Sequence, residues 1–185
     1  MSVELVFETH SLTTDNERGV ASGWNGGVLS ERGRALAAEL GDRRRNDAID
    51  LVVSSDLARA VETARIAFFS APMPLRVDWR LREVDYGALT GSCADELERA
   101  RYVDVPFPGG ESYRDVVVRM ERFLDDLGEA HAGARVLLIG HTATRWALDR
   151  LIEGRELAEV VTAPFGWREG WQYRLDGRAA ARAVA

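Results

Sequence analysis

The 185-residue chain is poor in cysteine, and it has no apolar run that approaches the roughly 20 residues needed to span a membrane. Its one cysteine, Cys93, can form neither an internal disulfide nor a cysteine-based zinc site. The first residues lack a basic segment followed by an apolar one, so we expect no secretory signal and a cytoplasmic location. Lysine is absent, and we attribute the exclusive use of arginine to a GC-rich genome rather than to function.

The charge balance is acidic, with 30 Asp and Glu residues against 24 arginines and a formal net charge of −6. Nucleic acids and anionic membranes require a basic face, so we expect neither as a partner. A content of 46% hydrophobic and 29% charged residues is typical of a globular protein. No repeat or linker interrupts the chain, which predicts a single domain over residues 1–185. The arginine run at 43–45 is predicted to be a solvated turn, because acidic residues flank it.

Strand-like and helix-like segments alternate along the sequence. Runs typical of buried strands occupy 3–7, 49–53 and 135–139, and 171–175 is predicted to be a late antiparallel edge strand. Helices are predicted at 31–40 between a Ser30 cap and Gly41, at 56–69, from Ser112 onward and at 142–152. This order indicates an α/β fold with a mainly parallel sheet and helices on both faces.

Two of the three histidines follow predicted strands, which is where ligands bind in parallel sheets. His10 comes after the first strand and His141 after the 135–139 strand, while Ser54 and Ser55 end the second. Two histidines without a placed carboxylate are weak evidence for a metal site. A nucleophilic histidine is favoured, because neutral imidazole attacks phosphorus readily near neutral pH. The alternative, that each histidine only satisfies hydrogen bonds of its own turn, stays open.

Six short motifs follow one another along the chain. They are THSLTTDN at 9–16, LSERGRALA at 29–37, SSDLARAVETA at 54–64, LREVDYG at 81–87, PGGES at 108–112 and IGH at 139–141. The series resembles the motifs of the histidine phosphatase superfamily, whose members have the phosphoglycerate-mutase-like fold. The resemblance covers nearly the whole chain, and six motifs in the expected order make a chance match implausible.

The resemblance implies a two-step phosphoryl transfer that needs no metal or other cofactor. His10 would attack the phosphorus and form a phosphohistidine, and Glu83 would protonate the leaving oxygen and then activate water. Arg59 and His141 would hold the non-bridging oxygens, and helix amides near Thr142 would face the same anion. The implied partner is a small phosphorylated metabolite. Two alternatives without a catalytic role stay open. Arg59 could form a surface ion pair within its helix, and Glu83 could be a solvated carboxylate.

The first motif departs from the family pattern at two important positions. It matches at His10, Thr13 and Asn16, but Thr9 stands where the family has a phosphate-binding arginine, and Ser11 where it has glycine. Loss of one such donor typically lowers the rate on the order of 10²–10³-fold. Serine also tolerates positive φ poorly, which glycine at this turn permits. We nevertheless assign Thr9, Thr13 and Asn16 to the substrate-binding group.

Other charged residues are candidates to support the site. Arg145 is the favoured replacement for the missing arginine and is also assigned to substrate binding, because it lies four residues after His141 on the same helix face. The other two candidates are Arg18 and Arg82. Glu8 shares strand parity with His10, and it either buttresses the imidazole or is an exposed carboxylate. The tryptophans of 166–171 either line a substrate mouth or close the core.

Three functions are compatible with these motifs. A phosphomonoesterase acting on a small phosphate ester is preferred over a phosphoglycerate mutase. Only 16 residues separate Gly91 from Pro108, which leaves no room for the extra substrate-covering segment of the longer mutases. The third function is a catalytically weak sensor or scaffold that binds a phosphate ligand, suggested by Thr9 and Ser11. The sequence predicts neither the physiological substrate nor the oligomeric state.

Overall fold

The computed structural model describes residues 2–69 and 73–176, and strands and helices alternate as predicted. The strands are β1 (Val3–Thr9), β2 (Leu51–Ser54), β3 (Leu75–Val77), β4 (Arg135–Gly140) and β5 (Trp171–Leu175). The helices are α1 (Thr14–Glu17), α2 (Glu31–Arg44), α3 (Ala58–Ala67), α4 (Tyr113–Ala130), α5 (Thr142–Glu153) and α6 (Leu157–Thr162). In these ranges, no helix has the length and apolar character of a membrane span.

The sheet has the strand order β3-β2-β4-β1-β5, in which the first four strands are parallel and β5 pairs antiparallel with β1. The predicted α/β fold with a mainly parallel sheet is therefore confirmed, and so is the antiparallel edge strand. β1 and β4 are direct neighbours, and Thr9 is paired with Gly140 at their carboxyl ends. Because His10 directly follows β1 and His141 directly follows β4, this register places the two histidines side by side.

Helices cover both faces of the sheet, as predicted. On one face, Leu5 and Phe7 of β1 belong to a core that α4, α5 and α6 complete. On the other face, Val6 of β1 packs against α3, and α2 lies against α3. Side chains alternate between the two faces of a strand. Glu8 and His10 therefore share the face of β1 that the second core occupies.

Helix α2 extends further than predicted. Ser30 caps it as expected, since its Oγ accepts a hydrogen bond from the Gly33 amide at 3.0 Å. However, Gly41 does not end the helix, which continues to Arg44. A β-carbon at Gly41 would collide with the carbonyl oxygen of Ala67 at the end of α3. This glycine therefore permits close helix packing instead of terminating α2.

The prediction of a solvated turn at 43–45 is wrong for two of its three residues. Arg43 and Arg44 belong to α2, and the side chain of Arg44 is only 11% exposed. Arg44 donates two hydrogen bonds to the fully buried Glu8, from Nε at 3.0 Å and from Nη2 at 2.7 Å. Only Arg45 is exposed, where it pairs with Asp42. The acidic residues that flank this run in the sequence did not predict Glu8 as a partner of Arg44.

Candidate active site

His10 lies immediately after β1, and its amide extends the parallel ladder by donating to the carbonyl oxygen of Gly140 at 2.9 Å. Its Nδ1 lies 2.7 Å from the carbonyl oxygen of Ser11, which only accepts, so Nδ1 carries the proton. Nε2 accepts a hydrogen bond from Nε of Arg59 at 3.2 Å and holds the lone pair. Burial, and after it the Arg59 charge, lower the pKa of His10 to about 3. The imidazole is therefore neutral at neutral pH, as a nucleophile requires.

Arg59 is the second residue of α3 and has only 3% of its surface exposed. Its hydrogen-bond partners are Nε2 of His10 at 3.2 Å, Nδ1 of His141 at 3.3 Å, and the carbonyl oxygens of Gly23 at 2.8 Å and Asn25 at 2.9 Å. All four are neutral groups. A buried cation with neutral partners stabilises an anion that binds beside it.

His141 lies between β4 and α5 and is fully buried. Arginine only donates, so His141 Nδ1, which lies 3.3 Å from Nη2 of Arg59, accepts, and the proton lies on Nε2. Burial and the Arg59 charge hold the pKa of His141 well below its usual range. Among the described residues, its Nε2 has no hydrogen-bond partner. With the ring centroids of His10 and His141 4.9 Å apart, this free donor is suited to an anion held near both rings.

Glu83 follows a 3₁₀ turn at Trp79–Leu81 and is 9% exposed. Its Oε1 accepts hydrogen bonds from the amide of Val84 at 2.9 Å and from the amide of Ala143 at 3.1 Å. Ala143 belongs to the first turn of α5, directly after His141. Burial raises the pKa of Glu83, against the lowering effect of the two amides and of Arg59. The carboxyl group is therefore held next to His141 in surroundings that favour its protonated form.

Residues of the fifth motif and of α4 fix the loop that carries Glu83. The carbonyl oxygen of Glu83 accepts hydrogen bonds from Nε1 of Trp24 at 2.7 Å and from Nη2 of Arg119 at 2.9 Å. Arg119 is itself held by Glu111, at 2.9 Å, and the same carboxylate accepts the amide of Asp85 at 3.1 Å. The PGGES motif thus supplies Glu111 as a support for the candidate acid.

The alternatives left open for Arg59 and Glu83 are not observed. Glu62, the possible helix partner of Arg59, pairs with Arg34 at 2.9 Å. Glu83 is buried instead of solvated. Glu8 contacts Arg44, and the His10 Nδ1 that a buttressing carboxylate would hold is taken by Ser11.

Ser11 fits the turn after β1 without backbone strain. Among the described residues other than glycine, only Ala48 has a positive φ. The Ser11 hydroxyl donates to the carbonyl oxygen of Gly33 at 2.6 Å, and its amide donates to Oγ1 of Thr63 at 2.9 Å. The substitution for glycine therefore connects the turn to α2 and α3, and the expected problem with positive φ does not arise.

The remaining predicted substrate-binding residues fall into two groups. Thr13 is fully buried and forms a capping box with Asn16 at the start of α1, so it shapes the loop. Thr9, Asn16 and Thr142 line a cavity that His10 also lines. The structure thus brings these three to the same cavity as His10, whereas Thr13 does not line it.

The three arginines predicted to compensate for Thr9 are bound elsewhere. Each pairs with an acidic residue: Arg18 with Asp15 at 2.6 Å, Arg82 with Asp56 at 2.6 Å, and Arg145 with Asp149 at 2.9 Å. Arg145 also lies 5.3 Å from the ring of Trp171. Arg145 lies four residues after His141, but it also lies four residues before Asp149. Its guanidinium pairs with that carboxylate instead of with a phosphate bound near His141. We therefore correct the assignment of Arg145 to substrate binding.

We expect the variants Arg18→Gln, Arg82→Gln and Arg145→Gln each to keep kcat/KM for an aryl phosphate within about twofold of wild type, because each loses only an ion pair. Arg145→Gln should also lower Tm, because Asp149 is buried. Steady-state kinetics and thermal unfolding check both expectations. A loss of rate of about 100-fold in one variant would identify that residue as the missing phosphate ligand after all.

A cavity of about 530 Å³ opens beside His10, between α2 and the segment that follows α6. Its lining includes residues that sequence reasoning missed: Arg32, Leu36, Leu40 and Arg43 of α2, and Phe165 after α6. The α2 members recur at i, i+4, i+8 and i+11, which is the spacing of one helix face. Of the tryptophans in 166–171, Trp171 is buried in the core, as one alternative predicted, and Trp167 lines the cavity; that this cavity is a substrate mouth stays a prediction.

His10, Arg59, His141 and Glu83 meet where β1 and β4 end, and together they present a neutral imidazole, a buried cation, a hydrogen-bond donor and a buried carboxyl group. In the described part of the chain, no group of three or more His, Cys, Asp or Glu side chains is placed to hold a metal ion. The chemistry available from these four side chains is that of phosphoryl transfer through histidine.

The chain belongs to the histidine phosphatase superfamily (branch 1), whose family model matches residues 5–166. A 2,3-bisphosphoglycerate-dependent phosphoglycerate mutase of Methylobacterium sp. (strain 4-46) is 33% identical, with 81% of this chain and 80% of that protein covered. The predicted membership of this superfamily is confirmed.

Two solved structures show the same fold. YhfR of Bacillus stearothermophilus superimposes with a TM-score of 0.84 at 24% identity, covering 97% of this chain and 93% of that one. A mycobacterial glucosyl-3-phosphoglycerate phosphatase gives a TM-score of 0.75 at 28% identity, covering 86% and 84%. The predicted phosphoglycerate-mutase-like fold is therefore confirmed, and the superfamily relatives include proteins named as phosphatases and as mutases.

Proposed function

We propose that the protein is a phosphomonoesterase that hydrolyses a small phosphorylated metabolite through a phosphohistidine on His10, without a metal cofactor. The observation that carries the proposal is that one buried cation, Arg59, contacts both the neutral His10 Nε2 and His141, whose Nε2–H has no partner within residues 2–69 and 73–176. A phosphate monoester bound there has its phosphorus next to the lone pair and its oxygens next to a cation and a donor.

The proposed reaction has two steps. First, His10 Nε2 bonds to phosphorus while the ester oxygen leaves and takes the proton of Glu83, which releases the alcohol. Second, the Glu83 carboxylate takes a proton from water, whose oxygen bonds to phosphorus and displaces the imidazole. Arg59, His141 and the α5 amides near Thr142 stabilise the charge on the non-bridging oxygens in both steps.

A phosphoglycerate mutase is the second candidate. It is favoured by the relative of that name with 33% identity. The phosphatase is preferred because the stretch between Gly91 and Pro108 is short, and because a solved structure with 28% identity is that of a phosphatase. In a mutase, the phosphohistidine would pass its phosphoryl group to a second hydroxyl of a phosphoglycerate instead of to water.

The test is steady-state hydrolysis of 4-nitrophenyl phosphate in the presence of a chelator, followed by quenching during turnover and peptide mass spectrometry. We expect turnover and an acid-labile, base-stable phosphoryl adduct on His10. Interconversion of phosphoglycerates that requires bisphosphoglycerate, without hydrolysis, would support the mutase. Binding of the ester without turnover would support the weak ligand-binding protein. Turnover without an adduct on His10 would overturn the proposal.

A further inference from the structure

The cavity beside His10 is lined by one face of α2 and reaches Thr142, the neighbour of His141, but Arg59, Glu83 and His141 do not line it. We propose that it is a leaving-group subsite for phosphate esters whose alcohol part combines an apolar body with a second anionic group. The inference rests on the proposed function, because it assumes that the phosphorus of the ester lies at His10.

The apolar body has a wall to pack against. Leu12, Leu36 and Leu40 form one side of the cavity, and Phe165 and Trp167 form another. The two aromatic residues are 45% and 56% exposed, which is unusual for side chains of this size. Exposed aromatic groups at the mouth of a cavity next to a candidate nucleophile favour a flat or hydrocarbon ligand that covers them.

Arg43 supplies a cation that no acidic residue neutralises fully. Its Nη2 lies 3.9 Å from Oε1 of Glu8, beyond hydrogen-bond distance, and that oxygen already accepts two hydrogen bonds from Arg44. Its Nε is buried and has no partner among the described residues. The guanidinium lies 6.0 Å from the ring of Trp167, so cation and aromatic wall adjoin. An anionic group of the ligand would complete the coordination of Arg43.

Arg32 adds a second positive charge to the same cavity. It is exposed, and it forms no hydrogen bond or ion pair within residues 2–69 and 73–176. Its neighbour Gly33 packs against the carbonyl of Leu12, which holds this turn of α2 close to the His10 loop. In a chain with a net charge of −6, one unpaired and one incompletely neutralised arginine at the same cavity create a local potential that attracts an anion.

The aromatic wall is held in place by the buried pair of Glu8 and Arg44. Nη2 of Arg44 also donates to the carbonyl oxygen of Glu169 at 3.0 Å, which fixes the segment after α6 to the end of α2. Gly170 has a φ of +82°, and a β-carbon there would collide with the Arg44 guanidinium. The subsite is therefore largely formed before a ligand binds, which lowers the entropy lost on binding.

The experiment compares two aryl esters of similar shape, 4-carboxyphenyl phosphate and 4-carbamoylphenyl phosphate. We expect wild type to prefer the carboxylate by about tenfold in kcat/KM, mainly through KM. Arg43→Gln should abolish most of this preference, and Arg32→Gln a smaller part, because the more exposed charge is better screened. Trp167→Ala should raise KM for both esters to a similar extent. Arg34→Gln is the matched control, since Arg34 lies on the same helix but pairs with Glu62.

Equal rates for the two esters in wild type, unchanged in the two arginine variants, would overturn the subsite and leave the phosphatase proposal intact. If neither ester is hydrolysed, the proposed function fails, and calorimetric titration of wild type with both esters decides the subsite separately. Tighter binding of the carboxylate that Arg43→Gln removes then supports it, and equal binding contradicts it. Thermal unfolding of each variant distinguishes loss of the subsite from loss of the fold.

Discussion

Replacement of His10 by alanine is expected to lower kcat for aryl phosphate hydrolysis by about 10⁴-fold or more. The reason is that the variant loses the nucleophile itself, and only the stabilisation of bound phosphate by Arg59 and His141 remains. Neither of these is expected to substitute, since an arginine is protonated at all accessible pH values and the Nε2 of His141 carries a proton and has no lone pair for phosphorus. Steady-state kinetics with 4-nitrophenyl phosphate measures the loss.

Two controls separate the loss of a nucleophile from a structural effect. His131→Ala is the matched variant, because His131 follows the last residue of α4 and its ring nitrogen lies 3.4 Å from Arg76, in a part of the fold separate from His10. It should retain wild-type kcat. The second control is His10→Gly with added imidazole, which should restore part of the rate by occupying the position of the missing ring. Retention of more than about a tenth of kcat in His10→Ala would show that another group attacks phosphorus.

The position of the site was predictable from the sequence because it depends on topology. Ligands bind beyond the carboxyl ends of parallel strands, and this rule alone selects His10 and His141 without any motif. Their adjacency was not predictable from the alternation of elements, since it depends on β1 and β4 being neighbours in the sheet. In this strand order, the start of α3 lies near both imidazole rings, so that Arg59 contacts His10 and His141 at the same time.

The tertiary contacts of the arginines are not predicted correctly from the sequence. A long charged side chain reaches several positions, and the one that it occupies depends on which acidic residue the fold buries nearby. Arg145 was assigned to the phosphate but pairs with the buried Asp149. Arg44 was assigned to a turn but neutralises the buried Glu8 and thereby leaves Arg43 to the cavity. The spacing of residues along the sequence does not predict which of these tertiary ion pairs forms.

Glu83→Gln is expected to lower kcat/KM, which reports the transfer to His10, by about 10²–10⁴-fold for an alkyl phosphate and by much less for 4-nitrophenyl phosphate. An alkoxide is a poor leaving group and needs the proton, whereas nitrophenolate leaves without one. Glutamine keeps the shape of the side chain and its hydrogen bonds to the amides of Val84 and Ala143, so the fold should be preserved. Asp85→Asn, which removes a neighbouring carboxylate, is the matched control and should leave both rates unchanged.

The pH dependence gives this prediction a sign. Burial raises the pKa of Glu83, so the protonated acid persists to higher pH than in an exposed carboxyl, and kcat/KM for the alkyl ester should fall as the pH rises through that pKa. His10 has a pKa of about 3, so protonation of the nucleophile should not lower the rate in the same range. Ionisation of the substrate is identical in wild type and Glu83→Gln, so the ratio of their rates isolates the carboxyl group. That ratio should decline towards high pH, and a ratio independent of pH would assign the proton transfer to a different residue.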